Sequence, residues 1–472
     1  MVFSNLIFLF AFLPLCLIAH AMCTTNRQRN YVLLAFSLFF YGWGEPIWII
    51  QMLLSGFLVW YLGKGIAHTD DSRKRKKYLT GAVIAALVPL FIFKYAGFFM
   101  NQFAALFGSD WTAPHIHMPI GISFYTFQVL TYAIDLYRGD APYQKSILDF
   151  WLYEAFFPQL IAGPIVRYSD IAHQMQHRKI KLRTVMVGIQ RFIAGLAKKV
   201  LIANYAAQIV AETLDNSEML PRIGGLQALL GIVAFAIQIY FDFSGYSDMA
   251  IGLGHMFGFH FKENFNYPYV STSITEFWRR WHISLSGFFR DYVYIPLGGN
   301  RVSAPRRIFN IAVVWLLTGL WHGAGWTFIL WGAGFAVLLI LEKLGLLKRL
   351  DQAPAVLRHC YMLFIVVISF VLFDAPDLQV AGARIGAMFG GGALPLADTL
   401  SLYYLRSYGL LLILAAVGST PVVKRIFARL KDAAHSDKIL TAAEPVMNIA
   451  LLLIVSGYLL DASFNPFLYF RF

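Results

Sequence analysis

The chain has 472 residues, 58% of them hydrophobic and 14% charged, with a formal net charge of +13. Soluble domains carry about a quarter charged residues, so these figures exclude a soluble globular fold and define a polytopic membrane protein. Its three cysteines, Cys16, Cys23 and Cys360, are odd in number and lack a C-x-x-C spacing. That excludes a disulfide framework and a zinc site.

Apolar runs of spanning or near-spanning length fall at 3–21, 31–44, 47–63, 80–100, 116–134, 184–212, 225–256, 308–342, 359–374, 402–418 and 446–463. A helix needs about 20 such residues to cross a hydrocarbon core, so an all-α bundle of about 11 transmembrane helices is expected. The runs are continuous rather than alternating, which argues against a barrel. A single transmembrane domain over 1–472 follows. No Lys or Arg precedes the first run, whereas Arg27 and Arg29 follow it. This favours a retained first helix with an outer N-terminus over a cleaved signal peptide. The stretch 149–166 is apolar but broken by Pro158, Gly163 and Pro164. It reads as a re-entrant element buried in protein.

The basic residues test this layout. Segments assigned to the inner side hold 31 of the 39 Lys and Arg, and those assigned to the outer side hold Arg222, Arg384 and Arg471. Such asymmetry is the positive-inside pattern. It places both termini outside a bacterial inner membrane, and it makes 149–166 and 308–342 start and finish on the inner side. The charge is therefore an inner-face feature suited to anionic lipid, and nucleic acid is not an expected partner. A second reading of the same charge is an inner mouth that draws in an anionic donor such as a coenzyme A thioester. No P-loop or Rossmann glycine pattern implies a nucleotide fold.

The inner segment 257–307 is too long for an ordinary connection and too aromatic for disorder. Asn266-Tyr267-Pro268 makes a turn, and Ser273 with Glu276 fits a capping box that starts a helix from Phe277 to Phe289. On that helix Trp278, Trp281 and His282 share one face, and Arg290 with Asp291 forms a pair near its end. His282 is then presented to the interior, either as a chemical group or as a structural histidine caged by tryptophan. From Arg307 to His322 a straight helix rises about 22 Å, which puts His322 in the outer half of a core about 30 Å thick. Gly323 and Gly325 bend the path there. A desolvated imidazole stays neutral and able to accept a proton, the state required of a general base. Asp242 and Asp248, with Ser244 and Tyr246 between them, close the run 225–256. Asp242 also reads as the structural partner of an arginine in the following segment. His173 and His177 lack the glutamate of a metalloprotease helix and read as solvated. No metal site is expected.

At these residues the chain resembles the membrane-bound O-acyltransferases. The resemblance rests on Phe39-Phe40-Tyr41-Gly42-Trp43, Pro119-Ile120-Gly121-Ile122-Ser123-Phe124-Tyr125-Thr126-Phe127-Gln128, Phe157-Pro158-Gln159-Leu160-Ile161-Ala162-Gly163-Pro164-Ile165, Phe241 to Asp248, Phe277 to Ser284, Trp321-His322-Gly323 and Phe464-Asn465-Pro466-Phe467. Within the family it resembles the bacterial members that serve alginate O-acetylation. It implies a many-helix bundle pierced by a tunnel, with a core at 118–342 and peripheral helices at 1–117 and 343–472. It makes His322 the catalytic histidine and His282 the second functional one. Trp278, Trp281, Trp321, Asp242, Ser244, Tyr246 and Gln159 are then expected along the tunnel.

The mechanism so implied has no bound cofactor. Acetyl-coenzyme A, or another acyl thioester, enters from the inner face. His322 deprotonates a hydroxyl acceptor arriving from outside, and the acyl group passes directly or through a second protein. The final acceptor is an exported polysaccharide, alginate by resemblance, and periplasmic acetyltransferase or polysaccharide-modification proteins are the expected partners. Another exopolysaccharide, or D-alanylation of teichoic acid, stays open as the substrate. The rival classes are a transporter using Lys94, Asp242 and His322 as a polar path, and a non-catalytic scaffold.

Overall fold

The computed structural model describes residues 1–472 apart from 110, 115, 216–223, 391–394, 396, 433–435, 462–466 and 469–472. Phe464, Asn465 and Pro466 of the last quoted motif thus lie outside the described residues. Everything regular among the described residues is helical, and seven helices there are long and apolar enough to cross a membrane. The chain forms two compact units interleaved in sequence. The first takes Met1–Phe192 and Tyr246–Glu263, the second Ile193–Gly245 and Asn264–Leu468.

The first unit is built from α1 (Phe8–Ala21), α2 (Asn26–Gly42), α3 (Trp48–Ala67), α4 (Ser72–Leu106), α5 (Ile122–Arg138), α6 (Ile147–Ala155) and α7 (Tyr168–His177). Thr25 caps α2 in a full capping box with Gln28, satisfying amides that the first turn leaves open. α5 is buried along nearly its whole length and is bounded by Gly121 and Gly139, both at positive φ. At Gly121 a Cβ would also come within 3.0 Å of the Leu160 carbonyl, so a side chain there meets backbone as well as strain.

After α6 the chain runs without helix from 156 to 166, every residue buried, as the breakers in 149–166 predict. Non-helical backbone is tolerated at such depth only where protein satisfies it. Here the Tyr153 hydroxyl donates to the Val166 carbonyl at 3.0 Å, and the Phe157 amide donates to Ser37 Oγ at 3.2 Å. α8 (Leu182–Ala197) enters this unit. After α9 (Asn204–Thr213), the last turns of α10 (Gly225–Met256) do so too. α8 and α10 meet backbone to backbone, since a Cβ on Gly188 would lie 2.5 Å from the Gly252 carbonyl.

The second unit takes the remainder of α8 and α10 and adds α11 (Ile274–Arg280), α12 (Ile283–Phe289), α13 (Ala304–His322), α14 (Trp326–Leu341), α15 (Ala355–Asp374), α16 (Leu378–Met388), α17 (Thr399–Gly418), α18 (Val422–Asp432) and α19 (Ser436–Asp461). The run 308–342 is a helical hairpin that turns at Gly323–Gly325, as expected. Its arms touch through glycine. A Cβ on Gly319 would sit 2.4 Å from the Phe328 carbonyl, and one on Gly332 would sit 2.4 Å from the Trp315 carbonyl. Small residues at such crossings let helices approach closely where lipid supplies no hydrophobic drive.

Candidate active site

His322 is the last residue of α13. Gly323 follows in extended conformation (φ −167°), so the helix ends by turning its last side chain into the hairpin. The imidazole is 3% exposed and is walled by three rings set nearly perpendicular to it. These are Trp321, Trp331 and Phe373, at 4.9, 5.1 and 5.0 Å between centroids. Two come from neighbouring helices, α14 and α15, so the cage is a tertiary product of the hairpin and the helix after it.

His282 is fully buried. The continuous helix expected from Phe277 to Phe289 does not form. α11 stops at Arg280, Trp281 is extended, and His282 adopts a left-handed conformation (φ 44°, ψ 54°) before α12 begins. Trp278, Trp281 and His282 therefore do not share a helical face. The break is held by Asn264. Its carbonyl oxygen takes the Ile283 amide at 3.0 Å, and its side-chain oxygen accepts from the Ser284 amide at 3.2 Å and the Ser284 hydroxyl at 2.9 Å. The same oxygen lies 3.1 Å from His282 Nδ1. An acceptor at that position fixes the Nδ1–H tautomer and leaves Nε2 as the basic nitrogen. Burial pushes the imidazole down to about 3, so His282 is neutral at pH 7.

Trp321 joins the two histidines, with its ring 5.9 Å from His282 and 4.9 Å from His322. Phe243 closes the other side of His282 at 4.7 Å. The remaining expected residues divide. Trp278 packs against Trp315, Trp331 and Phe335, and Trp331 in turn touches His322. Trp281 instead belongs to a structural cluster with Tyr240, Phe265, Phe277 and Phe370. Ser244 is buried, and its hydroxyl has no hydrogen-bond partner among the described residues. Asp242 pairs with Lys199 at 2.6 Å and accepts from the Leu468 amide at 2.8 Å. Its partner is thus a lysine of the preceding helical stretch and not an arginine of the following one. Tyr246 and Gln159 lie in the first unit. There Tyr246 stacks on Phe3 at 4.8 Å, and Gln159 donates to the Tyr153 carbonyl at 2.6 Å.

A cavity of about 510 Å³ opens beside this constellation, within the size range of small-molecule sites. Exposed Arg279, Arg290 and Lys343 stand at its outer part, while Trp278, Ile311, Trp315 and Thr318 form its inner lining. Thr318 precedes His322 by one helical turn on α13. Arg290 bonds Asp291 at 2.6 Å, as the sequence suggested. The wall bearing Trp278 is anchored by Glu342, at the end of α14, whose buried carboxylate accepts from the Ile274 and Thr275 amides, both at 2.8 Å. Ser273 takes the Glu276 amide at 3.1 Å, so the first turn of α11 is capped from within and from across the fold. Sequence reasoning missed Asn264, Trp315, Trp331, Phe373 and Glu342. Of these, only the tryptophans of the hairpin carried a signal, their spacing along two arms around His322. Among the described residues no group of three or more His, Cys, Asp or Glu is placed to hold a metal ion.

Residues 140–377, which include both histidines, match the MBOAT model, the membrane-bound O-acyltransferase family. The chain belongs to that family and is a membrane-bound acyltransferase. Over 511 aligned residues covering all of both proteins it is 40% identical to the probable alginate O-acetylase AlgI of Azotobacter vinelandii. It is 32% identical to the peptidoglycan O-acetyltransferase of Helicobacter pylori across 83% of this chain and 80% of the relative. With the teichoic acid D-alanyltransferase of Bacillus subtilis the identity is 30% across 62% of this chain and 75% of the relative.

Proposed function

We propose that the protein takes an acetyl group from a thioester, acetyl-coenzyme A or a carrier-bound equivalent, on the cytoplasmic side of a bacterial inner membrane. The group passes toward an exported polysaccharide, alginate by likeness to the Azotobacter relative, with periplasmic modification proteins as partners. The observation that carries this reading is the cavity. Cations at its exposed part suit the phosphates or acidic surface of the donor, and its apolar inner lining ends one helical turn from His322.

His322 acts as general base. It takes the proton of the acceptor hydroxyl as the oxygen attacks the thioester carbonyl, the C–S bond breaks, and the proton passes to the departing thiolate. The products are an ester and a thiol, with no net proton change. A buried imidazole in an aromatic cage suits this role, because proton transfer is most efficient where water does not compete. His282, with Nδ1–H tied to Asn264 and its ring linked to His322 through Trp321, helps to orient the reacting groups.

The test is transfer from radiolabelled acetyl thioester by the purified protein with a hydroxyl acceptor, beside His322→Ala at equal membrane level. Loss of transfer with the fold intact supports the reading. Undiminished transfer by His322→Ala removes the general base and favours a scaffold role.

A further inference from the structure

We propose that the inner end of the cavity measures the acyl chain, and that Trp315 is the residue that sets the limit. The inference rests on the donor reading of the cavity and extends it to specificity. Trp278 and Trp315 both line the cavity and meet edge to face at 4.6 Å. Behind them Phe335 lies 5.0 Å from Trp278 and 5.4 Å from Trp315, and Trp331 lies 5.6 Å from Trp278. Four large rings thus fill the space into which a longer acyl chain would extend.

This wall cannot retreat. The backbone carbonyl of Trp315 is the atom that a Cβ on Gly332 would meet at 2.4 Å, so α13 and α14 already touch where Trp315 is attached. The N-terminal end of α11, which carries Trp278, is held by Glu342 through two amide bonds and the Thr275 hydroxyl at 2.6 Å. A well-packed apolar wall resists added methylenes, because interiors deform little and overpacking forces side chains off their rotamers. On this reading a two-carbon acyl group ends in front of the rings, and an eight-carbon one has to displace them.

The experiment compares acetyl, butanoyl and octanoyl coenzyme A thioesters as donors for the intact protein in detergent, reading kcat and KM separately. Wild type is expected to use acetyl at least 100-fold better than octanoyl. Trp315→Ala is expected to narrow that ratio at least tenfold, chiefly through the KM for octanoyl, the scale on which one or two methylenes are discriminated in an apolar pocket. Trp315→Phe keeps a ring at the position and is expected to hold the preference for acetyl. If the alanine variant fails to fold, Trp315→Leu takes its place: it removes the ring while keeping apolar bulk and is expected to narrow the ratio, and an unchanged ratio there likewise overturns the filter. Good acetyl transfer with an unchanged ratio in Trp315→Ala, or wild-type use of octanoyl equal to acetyl, overturns the filter alone. Failure of wild type with every thioester, acetyl included, overturns the donor reading and the filter with it.

Discussion

Gly319→Ala tests whether the glycine contact positions His322, the proposed general base. The added methyl would lie 2.4 Å from the Phe328 carbonyl oxygen and 3.3 Å from Gly332 Cα, about 1 Å short of ordinary contact. Both obstacles are backbone, so no side chain can swing away, and α13 must move from α14 by a comparable distance. His322 sits less than one turn beyond Gly319 on the same helix, while Trp331 and Phe373 of its cage belong to α14 and α15. The shift therefore moves the imidazole against its surroundings. Overpacking of this kind costs about 1–3 kcal/mol of stability, and a misplacement of about 1 Å costs about 100-fold in rate. The assay pairs acyl transfer from labelled thioester with thermal unfolding in detergent. Transfer within twofold of wild type at an unchanged unfolding temperature would refute the reasoning.

Three further outcomes follow from the same geometry. Lys199→Met strands the Asp242 carboxylate, both partners being at most 3% exposed, and should cost about 3–5 kcal/mol. Most of that should return in Lys199→Met/Asp242→Asn, measured by thermal unfolding. Asn264→Ala removes the acceptor of His282 and Ser284 and should cost about 1–3 kcal/mol for the buried donors left open. Because it also releases the Nδ1–H tautomer, transfer should fall more than stability alone explains, which a comparison at temperatures well below unfolding checks. His282 contributes an acid limit. Its folded value is depressed to about 3 from 6.5, so the unfolded chain binds its proton first as pH falls. The contribution is intact above about pH 6.5 and is lost at about 1.4 kcal/mol per pH unit down to about pH 3. Unfolding temperatures from pH 7.5 to 4.5 should decline in wild type and decline less in His282→Gln, and equal slopes would count against the assignment.

Most of the helices were legible because hydrophobic run length and positive charge act locally. The hairpin turn at Gly323–Gly325 and the non-helical stretch after α6 were legible for the same reason, since glycine and proline mark them directly. Ser273 was recognised as a cap because its partner amide is three residues away. Glu276 turned back to Thr272, at 2.9 Å from its amide, and not to Ser273, so only half of the predicted box formed. The break at Trp281–His282 was invisible. No glycine or proline stands there, and the left-handed turn is stabilised by Asn264, eighteen residues away from His282. Asp242 likewise read as an acid awaiting an arginine, whereas its cation comes from Lys199. Glu342 caps α11 across 68 residues, a relationship that no sequence window contains. What the sequence hid was the set of long-range polar contacts that hold the site's walls.

One of those contacts bears on how the protein is made. Asp242 receives the Leu468 amide, 226 residues further along the chain. At about 5–20 residues per second, the ribosome delivers Leu468 some 10–45 s after Asp242 has left it. Throughout that interval one carboxylate oxygen of Asp242 lacks its final donor, and Lys199 is the partner already in hand. A nascent chain stalled before Leu468 would hold the Lys199–Asp242 pair without the amide that completes the shell of the carboxylate, so this buried acid is fully satisfied only once the last residues of the chain have been made.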